Sequence, residues 1–162
     1  GEIVLWAIND TRDTVNLHVT ACQVTVVGEM TEAGHWALSC PPDQAVEVAR
    51  IAAGSLGPDA FLNFSWQDPD GVHAGENDYL QHRPKDYRFA NPNIQVEDDG
   101  DSIALTSDLP ALFATIDHGG SDVWSDNGFT LLPGIPKVIH RVRARGGVHG
   151  EPRIRHLGSY GV

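Results

Sequence analysis

Sulfur is scarce in this chain of 162 residues, with two cysteines and one methionine. Cys22 and Cys40 permit one disulfide and do not require it. Neither belongs to a C-x-x-C or metal-type spacing, so nothing points to a disulfide scaffold or a zinc ribbon. No apolar run approaches the roughly 18 residues that a membrane span needs, and no membrane partner is expected. Basic charge is short too: 11 Lys and Arg stand against 22 Asp and Glu, a net charge of −11. A nucleic-acid partner is not expected, because phosphate binding needs a positive footprint. Residues 1–136 carry a net charge of −16 and residues 137–162 a net charge of +5. That basic end reads as a solvated strand face followed by a tail.

Catalytic signatures are missing as well. There is no G-x-S-x-G, and the eight histidines show no H-E-x-x-H or H-x-H spacing, so no metal site is nominated. Gly119-Gly120-Ser121 lacks the strand-to-helix setting of a phosphate loop. Glycosidases use two carboxylates about 5 to 10 Å apart. The acidic residues here sit mainly in turns, at Asp68, Asp70, Glu97 to Asp101 and Asp126, where Asp closes the backbone on itself. The run Glu97-Asp98-Asp99-Gly100-Asp101 lacks the calcium-loop spacing and its bidentate Glu. No catalytic pair, metal or cofactor is expected.

What is present is strand pattern. Residues 2–9 are apolar on both faces, and Asn9 to Asp13 end them with turn chemistry. Val15, Leu17, Val19 and Ala21 alternate with polar residues, after which the apolar set moves to Val24 and Val26. A one-residue change of phase predicts a bulge or bend near Cys22 and Gln23. Glu29 to Gly34 reads as a loop, and Trp36, Leu38 and Cys40 share one face of the next strand. Residues 45–51 would also suit a short helix but are read as a strand. Ala60, Leu62, Phe64 and Trp66 line another strand, which Asp68-Pro69-Asp70-Gly71 turns back into a hairpin with Val72 to Leu80.

Gln81 to Asn93, with two prolines, reads as a connector. Short strands follow at Ile94–Val96, Ile103–Leu105 and Leu112–Ile116. In a last strand Val138, His140, Val142 and Ala144 alternate with Lys137, Arg141, Arg143 and Arg145. Such spacing predicts an all-β fold of two tandem immunoglobulin-like β-sandwich domains, residues 1–86 and 87–146, with a basic tail over 147–162 that lacks a core pattern. A strand pattern that starts at residue 2, with no Met before it, is the expectation for a piece of a longer chain.

Gly120 to Gly134 is the most informative stretch. Its Ser125-Asp126-Asn127-Gly128 turn between Trp124 and Phe129 predicts a hairpin that ends at Pro133-Gly134. Trp36 and Trp66 share the apolar phase of their strands and are read as core, while the side of Trp6 stays open. Trp124, Asp126, Asn127 and Phe129 are the candidates for an interface or a sugar contact, although core packing is the first reading for the indole.

Ser125-Asp126-Asn127-Gly128-Phe129-Thr130-Leu131-Leu132-Pro133-Gly134 resembles a signature near the C-terminus of β-mannosidase-type enzymes of glycoside hydrolase family 2. Leu5 to Thr11, Glu76 to Leu80, Pro84 to Asp86, Pro92 to Val96 and Leu105 to Ala111 resemble the run through that family's last two β-sandwich domains. The resemblance covers about residues 3 to 145. It implies a non-catalytic accessory region that braces a (β/α)8 catalytic barrel or shapes its approach. The catalytic glutamates belong to that barrel, so none is carried over to this chain. The parent reaction so implied is retaining hydrolysis of terminal β-mannosides, with β-linked mannoside glycans as ligands. The alternative is a carbohydrate-binding or adhesive β-sandwich module acting alone.

Overall fold

The structure is a computed structural model and describes residues 1–117, 122–143 and 150–160. The chain is all-β and divides into two compact units, one of Gly1–Thr25 and Glu29–Arg83, the other of Val26–Gly28 and Pro84–Val162.

In the first unit, β1 (Glu2–Asn9) pairs antiparallel with β4 (Gln44–Ala52). The second sheet has the order β3-β2-β5-β6, from β2 (Val15–Thr25), β3 (Met30–Cys40), β5 (Ala60–Gln67) and β6 (Ala74–Tyr79). The two sheets enclose Ile3, Leu5, Ala21, Ala60 and Leu62, the inward phase of their strands, together with Leu56 from the loop before β5. The phase change in β2 is a register shift against β3 between Ala21 and Cys22. The residues expected to loop at Glu29 to Gly34 instead extend β3 back to Met30, because pairing with Cys22 to Val24 supplies backbone partners to a segment with no apolar alternation.

Asn9 ends β1 by crosslinking. Its Nδ2 donates to the Cys40 carbonyl at 2.8 Å and the Asp13 carbonyl at 2.9 Å, while its Oδ1 accepts from the Thr11 N–H and hydroxyl. That satisfies a buried amide and joins the turn to the end of β3.

Both cysteines are free thiols. Cys40 lies opposite Val15, seven positions along β2 from Cys22, a separation of about 23 Å at strand rise. A bond between them would require rebuilding the sheet, since bridged Cα atoms lie within about 7 Å.

In the second unit, one sheet has the order β10-β12-β8-β7 and the other β11-β9-β13. The strands are β7 (Ile94–Asp98), β8 (Ser102–Ser107), β9 (Ala111–Asp117), β10 (Val123–Trp124), β11 (Phe129–Leu131), β12 (Lys137–Arg143) and β13 (Arg153–Arg155). Ile103, Leu105, Ala111, Ala114, Phe129, Leu131 and Ile139 form the core, an immunoglobulin-like β-sandwich.

Two sequence expectations are corrected here. The inward residue of β12 is Ile139, whereas Val138 and Val142 are 49% and 65% exposed. The charged ends of Lys137 and Arg141 lie over aromatic rings on the Ile139 face, so long basic side chains occupy positions read as solvated. The segment expected to be a tail over 147–162 carries β13, whose Ile154 packs on the core while Arg155 Nη2 bonds Asp117 Oδ2 at 2.9 Å. Three residues are too short for an alternation to stand out. Ala144 and Arg145 lie outside the described residues, as do His118 to Ser121.

Candidate interface at the Trp124–Phe129 crossing

The Ser125 to Gly128 turn does not close a hairpin. β10 pairs with β12 and β11 pairs with β9, so this stretch passes from one sheet of the sandwich to the other. Its turn chemistry is as the sequence suggests, with Gly128 at φ 90°, which a residue with a Cβ adopts only under strain. The partners differ because both ends are held by other strands. The Ser125 N–H donates to the His140 carbonyl at 2.8 Å, and the His140 N–H donates to Ser125 Oγ at 3.0 Å. At the far end the Gly128 N–H donates to the Ala114 carbonyl at 2.9 Å. Turn residues report a local backbone conformation, and tertiary pairing decides which sheets it joins.

Two layers of aromatic, cation and carboxylate flank this crossing. Lys137 Nζ lies 5.2 Å from the Phe129 ring centroid and 3.2 Å from Asp126 Oδ2. The Arg141 guanidinium lies 5.8 Å from the Trp124 centroid, with Nε 3.6 Å from Asp122 Oδ2. Lys137 and Arg141 are four apart on one strand and so share a face, with Ile139 between them. The Asp122 side chain is 1% exposed, so its charge is held in a poorly solvated place, and the adjacent guanidinium compensates it. The more exposed Asp126–Lys137 pair contributes about 0–1 kcal/mol.

Of the four candidate residues, Phe129 is 4% exposed and part of the core, so its ring cannot present a face to a sugar. That corrects its nomination: β11 turns the ring inward, against Ile103 and Leu131 among others. Trp124 is half-buried, packs against the same core and has its face toward Arg141. Asp126 and Asn127 remain at the surface, where Asp126 Oδ1 accepts the Asn127 N–H at 2.8 Å. Asp122, Lys137 and Arg141 were not singled out in the sequence. The lysine and arginine were assigned to a solvated face, and only the rings of Trp124 and Phe129 could have suggested otherwise.

This arrangement anchors a crossing and offers no acid and base poised for proton transfer. The acidic turn is likewise occupied by its own backbone. Asp99 Oδ1 accepts the N–H groups of Asp101 and Ser102, at 2.9 and 2.6 Å, and these bonds hold its carboxyl below the usual range. Among the described residues, no group of three His, Cys, Asp or Glu could hold a metal ion.

The first unit offers a different feature, a groove of about 310 Å³ between β1 and the inner face of the larger sheet. Leu5 to Ile8, Val19, Phe64 and Trp66 line it, and the polar side chain among its residues is Asn77. Trp66 lies over Gly75 and Trp36 over Gly34, each ring filling the place of an absent Cβ, so both indoles serve sheet packing. Trp6 is 54% exposed.

A family model for the Ig-fold domain of mannosidase type matches residues 89–159. No curated protein matches the chain. Among solved structures, the exo-chitosanase CsxA of Amycolatopsis orientalis is similar at 17% identity and a TM-score of 0.66, over 95% of this chain and 24% of that one. A complex of the same enzyme with PNP-β-D-glucosamine gives 17% identity and a TM-score of 0.60, over 84% and 22%. A third structure, of the exo-β-D-glucosaminidase CsxA with a glucosamine-configured castanospermine, gives 18% and 0.57, over 86% and 22%. The chain thus spans about a quarter of the length of these structures, and at such identity the likeness speaks to fold. Residues 89–159 are thus similar to a mannosidase-type Ig-fold domain, a likeness that covers less than half of the chain.

Proposed function

We propose that the chain is a non-catalytic accessory region of a family 2 glycoside hydrolase, made of two tandem immunoglobulin-like sandwiches that brace a (β/α)8 barrel of the same longer polypeptide. The observation that carries this reading is the mannosidase-type Ig-fold match over residues 89–159, in a chain that spans 24% of a similar enzyme structure. The carboxylates around the crossing support it, since those of Asp122 and Asp126 are each engaged by a cation. Asp126 and Asn127 supply surface contacts to the neighbouring domain.

The parent enzyme removes terminal β-linked sugars. β-Mannosides follow from the sequence resemblance, and β-glucosaminides are the competing substrate, because the similar structures are of an enzyme named for that activity. A glycan-binding module acting alone draws on the exposed Trp6 indole, but a groove with a single polar side chain offers few groups to bond sugar hydroxyls.

Immunodepletion tests the proposal. An antibody raised against this chain should remove β-mannosidase or β-glucosaminidase activity from an extract of the source cells. If both activities stay in the supernatant after the antigen is cleared, the reading fails.

A further inference from the structure

The sheets of the first unit are unequal, two strands facing four. β1 is bonded to β4 throughout its length, and among the described residues no strand pairs with its other edge. Alternate residues of an antiparallel strand turn their N–H and C=O groups to opposite sides, so half of the backbone groups of β1 point away from β4. Such an edge is a template for another strand.

The groove lies between the β1–β4 pair and the larger sheet, with Val48 of β4 and Leu17 of β2 also in its lining. Its wall is the consecutive run Leu5 to Ile8, and its floor is the inner face of the larger sheet at Val19, Phe64 and Trp66. The floor exists because the inward phase of β5 outruns its cover. Ala60 and Leu62 pack with Ile3 and Leu5 and are fully buried, while Phe64 and Trp66, further along the same face, are half-buried. A free ladder edge above an apolar floor is the geometry in which an extended segment adds to a sheet, with its backbone giving affinity and its alternate side chains filling the floor.

Charge narrows the occupant. Residues 1–83 hold 12 Asp and Glu against three Lys and Arg. On the outward face of β1 and β4, Arg50 is shared between Glu2, at 3.0 Å, and Glu47, at 2.7 Å, which leaves that face one negative charge in excess. A second copy would bring like charge to the edge, and a glycan would meet little but hydrocarbon. The geometry points to β1 as a docking edge for an extended basic strand from outside residues 1–162. Its inward apolar side chains cover Phe64 and Trp66, and its outward Lys or Arg side chains lie beside Glu2. This site stands whether or not the parent protein is a glycosidase.

The test uses the 162-residue chain and a blocked ten-residue peptide of alternating valine and lysine. Controls are the same residues in two blocks, alternating valine and glutamate, and the valine–lysine peptide N-methylated at alternate amides. Hydrogen exchange should show fast amides along β1 in the free chain, and the valine–lysine peptide should slow them saturably. Each control should bind at least about tenfold more weakly, the worth of one to two net hydrogen bonds. Trp66→Ala should weaken binding by removing floor. Ile8→Lys, at a position 71% exposed, should weaken it by repulsion with the fold unchanged. The inference is overturned if no peptide binds, if all bind alike, if binding leaves β1 amides fast, or if the free chain already protects that edge as a dimer in sedimentation.

Discussion

Gly75→Ala is the substitution whose cost can be worked most directly from the structure. A Cβ built at Gly75 would lie 2.5 Å from Cζ2 of Trp66, 2.9 Å from Cε2 and 3.1 Å from Cη2. Ordinary contact begins near 3.4 Å, so the indole must retreat by about 0.9 Å, away from the strand that it covers. Overpacking of this kind costs about 1–3 kcal/mol. Against that stands a gain of about 0.4–1 kcal/mol, because alanine restricts the unfolded chain more than glycine does. The expected net loss is about 1–2 kcal/mol, or a fall in Tm of about 4–8 °C per kcal/mol for a unit of this size. Urea unfolding followed by tryptophan fluorescence would measure it, and a double-mutant cycle with Trp66→Leu isolates the cause. In the leucine background the added methyl should be neutral or stabilising by about 0.5 kcal/mol. Equal losses in both backgrounds would refute the claim that Trp66 packs on the bare backbone of Gly75, and would reopen the ring as a ligand surface.

Four other outcomes are expected. Phe113 stands at φ 53° and is 44% exposed, so Phe113→Gly should cost nothing or stabilise by about 1 kcal/mol in chemical denaturation, since a non-glycine residue there bears about 1–2 kcal/mol of strain. Phe129→Ala, in the core of the same unit, should instead lose about 3–5 kcal/mol. Burial lowers the pKa of His156, so the folded protein holds its imidazole neutral. Its full contribution is therefore present above the unfolded value of about 6.5 and is lost as pH falls from there toward the folded value, because the unfolded chain then binds the extra proton. Urea midpoints at pH 7.5 and 5 should differ more for the native chain than for His156→Gln. Finally, native protein should titrate slowly with a thiol reagent and release two thiols on denaturation. Cys40 is buried, and the Cys22 thiol is raised by desolvation and by Glu32. A Cys22–Cys40 disulfide in mass spectrometry would contradict the strand register.

Much of the first unit was legible because its strands alternate over six or more residues. Ala60, Leu62, Phe64 and Trp66 declare one face of β5, and Asp68 to Gly71 declare its turn, which the bond from the Gly71 N–H to the Asp68 carbonyl closes at 3.1 Å. The shift at Ala21 and Cys22 was legible for the same reason, since a bulge turns the apolar phase over. In the second unit the strands are short and carry exceptions. Lys137 and Arg141 lie toward the rings of Phe129 and Trp124, so hydrophobicity alone assigns β12 the wrong face. The Ser-Asp-Asn-Gly turn carries its backbone conformation in its residues. Which strands its ends join depends on Ala114 and His140, far away in sequence. For the candidate site, the half-buried Asp126 and exposed Asn127 followed from turn composition. The inward Phe129 did not, because a three-residue strand has no period to read.

An accessory chain that makes no catalytic site of its own should be inactive when purified, and a direct assay decides it. Release of p-nitrophenol from the β-mannoside and the β-glucosaminide should stay at the buffer blank, at protein concentrations where circular dichroism confirms folded β-structure. Turnover that rises with protein concentration and persists through a second, orthogonal purification would contradict the account.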